Sequence, residues 1–434
     1  MTTSWAKRLL WSLLVGLFLP LFLAAALLPS RRRRLLVWGS VPVKANRYWS
    51  EALREQGLPS VTIMANLYGI NDRSDFDRYF EDYAPGGLPR PLRFAVGSCL
   101  ALLHVLRRGA VVHTSYWGFA LGLSAFWRIE SLLFRLAGIK VVVIPFGADG
   151  YLYSAVVDTS LRYGLLASYP ALARIEAETR AKVDHWNRHA DAVITTWMID
   201  GLGRWDVTVN QMLVIDTASW TAKPDHNDND GRNGPVRVLH TPNHRGFKGT
   251  EFLAAAVERL RADGLQVELV LLEKVPNAQV RGIMQSADIL AEQFIATGYA
   301  MSGVEGMASG LPVLANLEHE AYTLVYRRYA FLDECPILST SPETLEANLR
   351  VLVENPALRR QLGAAGRAYA EKYHSYAAAR YLFGAIHDKL LRGADVDLIN
   401  LFHPLKSDYN RATPKVEHPL VDSRLPDGWD RAGC

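Results

Sequence analysis

The chain has 434 residues, 48 Lys and Arg against 44 Asp and Glu, a formal net charge of +4 and 49% hydrophobic residues. That length holds two domains of ordinary size, and that apolar content fills their cores, which excludes a disordered chain. Four of the cations form one run, Arg31 to Arg34, so the remaining balance excludes a broadly basic nucleic-acid binder, and no RNA or DNA motif is present. Cys99, Cys335 and Cys434 form no C-x-x-C pair and have no clustered histidines beside them, which argues for free thiols in a cytosolic body rather than a disulfide framework or a zinc site.

The first element is apolar. Leu9 to Pro29 carries no charge and matches the roughly 20 residues that cross a bilayer. A cleaved signal peptide is the rival reading, with Lys7 and Arg8 as its basic start and Ala24 to Ala26 as small residues for cleavage. The arginine run resists translocation and outnumbers the two cations before the apolar stretch. The expectation is therefore a single-pass anchor over residues 1–34 in the inner cell membrane, with the body on the cytoplasmic side. Pro20 in mid-run leaves a shallow, non-spanning helix open.

Residues 35–220 then alternate short apolar runs with helical patterns. LLVWG, VTIMAN, AVVHT, KVVVIPF, AVITT and MLVID read as strands of a mostly parallel sheet. Gly39 and Ser40 follow the first and lead into the helical ANRYWSEALREQG, so Gly39 either lets backbone approach a ligand or serves a turn. His113 closes AVVHT at the carboxyl edge, where open α/β sheets bind ligands; a hydrogen-bonded packing role is the alternative. Asp149, in IPFGAD, either holds substrate hydroxyls at such an edge or closes an Asx-turn. PRPLRFAVGSCLALLHVLRRG is an apolar helix with basic ends, suited to anionic lipid or to burial against the sheet.

The polar stretch from Trp220 to Pro235 marks a linker over residues 221–235. Residues 236–392 repeat the alternation with VRVLH, QVELVLL, ADIL, PVLA and CPILST, and close on two strong helices in ALRRQLGAAGRAYAEKYHSYAAARYLFGAIHDKLL. Residues 393–434 form a Pro-rich tail, either draped on a domain or mobile. Two loops in this half concentrate chemistry. In VRVLHTPNHRGFKGTEF, a strand runs into a basic loop that places Lys248 and Gly249 at a helix start, with His244 and Arg245 just before. In ADILAEQFIATGYAMSGVEGMASGLPVLAN, Gly298 and Gly303 loosen the backbone, Ser302 to Glu305 has capping-box spacing, and Gly310 with Pro312 ends the helix. That helix start offers unpaired N–H groups to a phosphate, although a Glu in such a box also serves its own cap.

Together these two segments resemble the retaining, family-4 (group 1) glycosyltransferases of the GT-B fold, whose C-terminal domains read strand, loop, K-G, helix, then A-D, then E-x-M-A and G-x-P-V. The resemblance covers roughly residues 35 to 390, more closely in the C-terminal half. It implies an α/β protein with two Rossmann-like doubly wound domains facing a cleft, the last helix crossing back to the first domain. It also implies Lys248 on the donor diphosphate and Glu305 on the ribose hydroxyls; Gly39, Ser40, Gly298, Tyr299, Ser302, Gly303 and Val304 are the further candidates for lining the donor. Arg245 stands near the family's second phosphate cation, with a solvated loop role as the alternative. Many relatives carry a second Glu eight residues earlier, where this chain has Thr297, and a His where it has Phe146 in IPFGAD. Glu292, Gln293, Gly298 and Tyr299 are where sugar contacts would be redistributed.

The expected activity is sugar transfer from a nucleotide-sugar donor to a membrane-proximal or lipid-linked glycan acceptor, with retention of configuration. Lys248, Arg245, Asp149 and His113 are the candidate catalytic residues. No metal or cofactor is called for, and no D-x-D motif lies in a plausible position for the metal-dependent transferases. The alternative is a catalytically silent protein of the same fold that binds glycan or scaffolds a membrane assembly; a periplasmic two-domain sugar receptor is more distant.

Overall fold

The computed structural model describes residues 5–427 apart from 29, 31, 32, 70, 198, 199, 210, 211, 274 and 276, and the side chains of residues 5–7, 277 and 278 are not described. Pro29, Arg31, Arg32 and Cys434, all named above, therefore lie outside the described residues, as does the side chain of Lys7.

Two parallel sheets of Rossmann-like type organise the chain. The first contains β1 (Leu35–Ser40), β2 (Ser60–Met64), β3 (Arg78–Tyr79), β4 (Gly109–Thr114), β5 (Lys140–Val143) and β6 (Ala192–Val193), in the order β3-β2-β1-β4-β5-β6. The second contains β7 (Val236–His240), β8 (Val267–Leu271), β9 (Ile289–Gln293), β10 (Val313–Ala315) and β11 (Leu338–Ser339), in the order β11-β10-β9-β7-β8. Every strand pairing in both is parallel. Parallel strands need crossover helices on both faces, which is why these strands read as continuous apolar runs instead of alternating ones. The strand order reverses between β1 and β4 in one sheet and between β7 and β9 in the other. At those reversals successive crossovers leave toward opposite faces and open a crevice at the strands' carboxyl ends.

Two compact units contain these sheets, and they interleave along the chain. One comprises Met1–Leu152, Ala171–Val207 and Ala379–Leu398; the other comprises Tyr153–Pro170, Thr208–Ala378 and Ile399–Cys434. The stretch Tyr153–Pro170 belongs to the second unit because its helix Thr159–Ser168 packs on the Arg245–Lys248 turn, with Gly164 against the backbone of Phe247. The linker is irregular but fixed. Lys223 Nζ donates to Ala287 O (2.6 Å), Asn227 Nδ2 to Asp288 Oδ1 (2.6 Å), and the buried Arg359 guanidinium to the carbonyls of Asn227 and Asn229. The tail drapes over the second unit through bonds from Lys372 Nζ to Pro414 O, Val416 N to Glu334 Oε2 and Ser339 N to Ser423 O.

One strand expected from the sequence is absent. The MLVID run contains no strand where it is described: Met212 takes a left-handed φ of +43° and Ile215 N donates to His374 O (2.9 Å). Val214 and Ile215 are fully buried, so the run's apolarity serves packing rather than a sheet. β3 is the converse, a two-residue edge strand with no apolar pattern of its own.

In the first unit, the carboxyl end of β4 is tied to the helix Tyr376–Arg392. His113 is 1% exposed, stacks on Trp38 (centroids 3.6 Å, interplanar 8°) and places Nε2 3.0 Å from His387 Nε2, while its Nδ1 lies 3.1 Å from Val37 O. The carbonyl accepts only from a protonated Nδ1, so His113 Nε2 accepts and His387 Nε2 donates. Burial drives both rings neutral: His113 is held well below the usual histidine range, by burial first and His387 second, and His387 is pulled down to about 4 by burial. An unfolded chain titrates these rings near 6.5, so between about pH 6.5 and 4 it binds more protons than the folded one. Stability therefore falls with falling pH across that window, by about 1.4 kcal/mol per pH unit for each such histidine. The urea midpoint is expected to drop between pH 7.5 and 5, with a shallower pH slope in His387→Gln, which keeps the donor to His113; an unchanged slope refutes the assignment.

Candidate functional site

The reversal point of the second sheet gathers a buried charge cluster. β7 ends in His240, whose Nδ1 faces Ala291 O (2.7 Å) and whose Nε2 faces Thr250 Oγ1 (2.9 Å), which locks β7 to β9 and to the next helix. Burial pulls this ring down to about 4, so it is a neutral brace. The chain then makes one turn, Arg245–Lys248, and Gly249 ends it at φ +77° before the helix Thr250–Ala262 begins. A Cβ at Gly249 would stand in a left-handed conformation 3.1 Å from Phe294 Cβ, which is the physical reason for glycine after the lysine. Phe294 N donates to Lys248 O (3.1 Å), seating the turn on the end of β9.

Lys248 is 5% exposed. Its ammonium donates to Glu292 Oε1 (2.6 Å) and Gln293 Oε1 (2.8 Å), the last two residues of β9. Gln293 turns its amide to Ala296 O (3.1 Å) and Gly298 O (2.7 Å) and so fixes the loop leading to the helix Met301–Ala308. Glu292 also accepts from Ser302 Oγ (2.9 Å) and Ala300 N (3.4 Å). A carboxylate thus sits at the positive end of this helix, between its first turn and the ammonium.

The capping box expected from the spacing does not form. The helix starts at Met301 with Ala300 as its cap and no side-chain cap bond, so Ser302 is inside the first turn and donates to Glu292 instead. Gly303 N and Val304 N are already given to Ala300 O (3.0 and 3.3 Å), which places the helix's open amides one step earlier than expected, at Met301 and Ser302. Val304 closes that first turn and is fully buried, and Glu305, 4% exposed, begins the next.

The remaining expected residues fall outside this cluster. Arg245 lies on the surface and pairs with Glu251 (2.8 Å) and Glu273 (3.2 Å). Tyr299 turns into the core, its hydroxyl 3.0 Å from both Tyr369 Oη and His374 Nε2. Thr297 is fully buried with no hydrogen-bond partner for its hydroxyl. In the first unit, Asp149 is wholly buried and accepts from Tyr116 N, Phe146 N and Gly147 N at 2.9 to 3.0 Å, joining the loops after β4 and β5; burial raises it to about 6. Ser40 O accepts from Ala65 N (2.7 Å). A Cβ on Gly39 would stand 2.2 Å from Ile63 O, so the glycine permits close approach of β2. Phe146 packs edge-on to Trp117.

The residues the spacing did not assign are the partners of Lys248. Glu292 and Gln293 stand together in the sequence, but their joint grip on the lysine depends on β7 and β9 being sheet neighbours. The available signal is two polar residues ending an otherwise apolar buried strand. No cluster of three or more His, Cys, Asp or Glu side chains arranged to hold a metal occurs among the described residues. A cavity of about 980 Å³ lies between the helix Pro356–Tyr373 and the tail, lined by Gln361, Lys372 and Tyr409 among others, and includes none of the cluster's residues.

No protein-family model matches the chain. No curated protein matches it either. Among solved structures it is similar to a glycosyltransferase from Rickettsia africae ESF-5, at 12% identity and TM-score 0.49 over 84% of this chain and 100% of that one. It is also similar to WaaG, a glycosyltransferase involved in lipopolysaccharide biosynthesis, at 11% and 0.40 over 80% and 97%. A third is the UDP-GlcNAc 2-epimerase from Neisseria meningitidis bound to UDP-GlcNAc, at 14% and 0.37 over 83% and 99%.

Two predictions test this geometry. Lys248→Met leaves Glu292 as a buried unpaired charge and is expected to cost about 3–5 kcal/mol, whereas Lys248→Met with Glu292→Gln recovers most of that loss. Denaturant titration of the two single variants and the double gives the coupling, and additive effects would dissolve the pair. Gly39→Ala is expected to destabilise by at least about 2 kcal/mol without any ligand present, because the clash is with backbone.

Proposed function

We propose that the protein is a GT-B glycosyltransferase that takes a nucleotide-sugar donor in its second unit and passes the sugar, with retention of configuration, to a membrane-proximal or lipid-linked glycan. The observation that carries this reading is the buried Lys248 ammonium beside the open first turn of the Met301–Ala308 helix, at the reversal point of a parallel sheet. Glu305 lies one turn further on.

Two of the three N–H bonds of Lys248 go to Glu292 and Gln293, leaving one for a diphosphate oxygen. The amides of Met301 and Ser302 add a second positive surface as charge grows on the leaving diphosphate. Glu292, already oriented by Ser302, is assigned the donor hydroxyls, in the role that Thr297 cannot fill. Glu305 is assigned to the ribose. No metal or cofactor enters this scheme. The N-terminal helix, long and apolar enough to cross a membrane, holds the protein at the inner membrane with its body on the cytoplasmic side, where nucleotide sugars are made.

The test uses full-length protein, a panel of nucleotide sugars and membrane lipid extract. One donor is expected to stabilise the protein against heat, and transfer to lipid should persist in chelator, since lysine and amides supply the positive field. The double variant Lys248→Met with Glu292→Gln should fold yet bind that donor about 30- to 1,000-fold more weakly, the equivalent of about 2–4 kcal/mol. Donor binding without transfer favours the silent, glycan-binding alternative. Strict metal dependence refutes the phosphate assignment.

A further inference from the structure

The N-terminal helix, Trp5–Leu27, is apolar on all sides, and its two faces meet different surroundings. Trp11, Val15, Phe22, Ala25 and Ala26 recur on one face and are each at most 8% exposed. They pack on the first unit. Trp11 meets Phe94 edge-on at 5.0 Å, Ser12 Oγ accepts from Ala125 N (2.9 Å), and Arg8 pairs with Glu178 (2.6 Å). At the other end, Arg33 donates to the carbonyls of Ala25, Ala26 and Leu28 and to Leu106 O, while Ser30 Oγ donates to Arg107 O. Arg33 therefore caps the helix and bolts it to the helix Arg90–Arg108.

These contacts run the length of the element. Trp11 lies beside Phe94 and Arg33 beside Leu106, so the two helices lie side by side in the same direction. The seated helix is about 34 Å long at 1.5 Å per residue, close to the hydrocarbon thickness. Were it to cross the bilayer while seated, the Arg90–Arg108 helix would enter hydrocarbon with it, bringing the charges of Arg93, Arg107 and Arg108 into lipid. Seating and spanning are mutually exclusive.

The opposite face is exposed and apolar: Leu10 48%, Leu13 61%, Leu17 75% and Leu21 54%, with Leu27 and Leu28 beyond. The helix Ile129–Leu136, which packs against the N-terminal one, adds exposed Leu132 and Leu136. Arginines edge this surface. Arg128 and Arg135 flank those leucines, and Arg107 and Arg108 lie where Arg33 and Ser30 dock. An apolar strip bordered by guanidinium groups complements a bilayer whose headgroups are anionic.

We infer that the N-terminal helix lies in the plane of an anionic membrane, seated on the first unit with its leucine face in the lipid, in place of crossing it. This rests on the membrane attachment proposed above but not on sugar transfer. Two measurements with the full-length chain test it. In flotation with phosphatidylcholine vesicles containing 30% phosphatidylglycerol, the protein should float with the vesicles. Leu17→Glu, or Arg128→Glu with Arg135→Glu, should reduce the floated fraction at least tenfold, with near-ultraviolet circular dichroism unchanged to show an intact fold. Binding unaffected by these changes overturns the surface. Separately, Thr3→Cys in a Cys434→Ser background should react with an impermeant maleimide in inverted membrane vesicles, on the same side as the body. Labelling from the opposite side alone shows a spanning helix and overturns the inference while leaving attachment intact; recovery of a chain lacking residues 1–26 overturns both.

Discussion

The pair formed by Lys248 and Glu292 is the contact on which the second unit's candidate site depends. Two opposite charges, one fully buried and one nearly so, meet at 2.6 Å. Taking them out of water is costly, and the cost is offset only where further hydrogen bonds complete both shells. Here Gln293 completes the lysine and Ser302 with Ala300 complete the glutamate. One pair thereby fixes three segments: the turn after β7, the end of β9 and the first turn of the following helix. Removing either member disturbs all three, so stability and ligand chemistry are not separable by single substitutions at this site.

The two sheets share a topology at their reversal points and differ in what fills them. In the first unit the polar groups close on one another. His113 is consumed by Val37, Trp38 and His387, and Asp149 by three backbone amides, while Glu130 is likewise held by the amides of Phe119, Ala120 and Leu121. Such groups are braces for loops at the sheet edge. In the second unit, among the described residues, Lys248 donates to two side chains and the amides of Met301 and Ser302 have no partner, which is the arrangement the proposed diphosphate contact uses. The difference lies in the side chains and not in the sheet order, so architecture alone does not distinguish the two reversal points.

Much of the architecture was legible because parallel strands buried on both faces leave continuous apolar runs. LLVWG, AVVHT, VRVLH and PVLA each became a strand at the expected place. MLVID misled for the same reason, since a buried irregular segment is as apolar as a buried strand. Lys248 and Gly249 were readable as a helix entry, and the left-handed glycine explains the pairing. The capping box was not, because S-x-x-E spacing does not report where the helix begins, and a serine inside the first turn bonds outward to Glu292. The partners of Lys248 were hidden for a further reason: β7 and β9 become neighbours only once β8 is placed on the outer edge, which is a property of the sheet and not of either loop.

The N-terminal helix shows why hydropathy underdetermines topology. A window average counts Val15 and Leu17 alike, yet one is 1% and the other 75% exposed. Apolarity on the inner face is explained by packing against the first unit, so only the outer face is left to be explained by lipid. Half a helix of leucines is a strip suited to the headgroup boundary, whereas spanning requires lipid on every side. Arg33 reinforces the distinction, because a side chain that caps the helix and bonds to Leu106 O is committed to the protein. The arginine run that argues for a cytoplasmic body is thus, at this position, also a structural clasp, and the same residue type supports topology and packing by different physics.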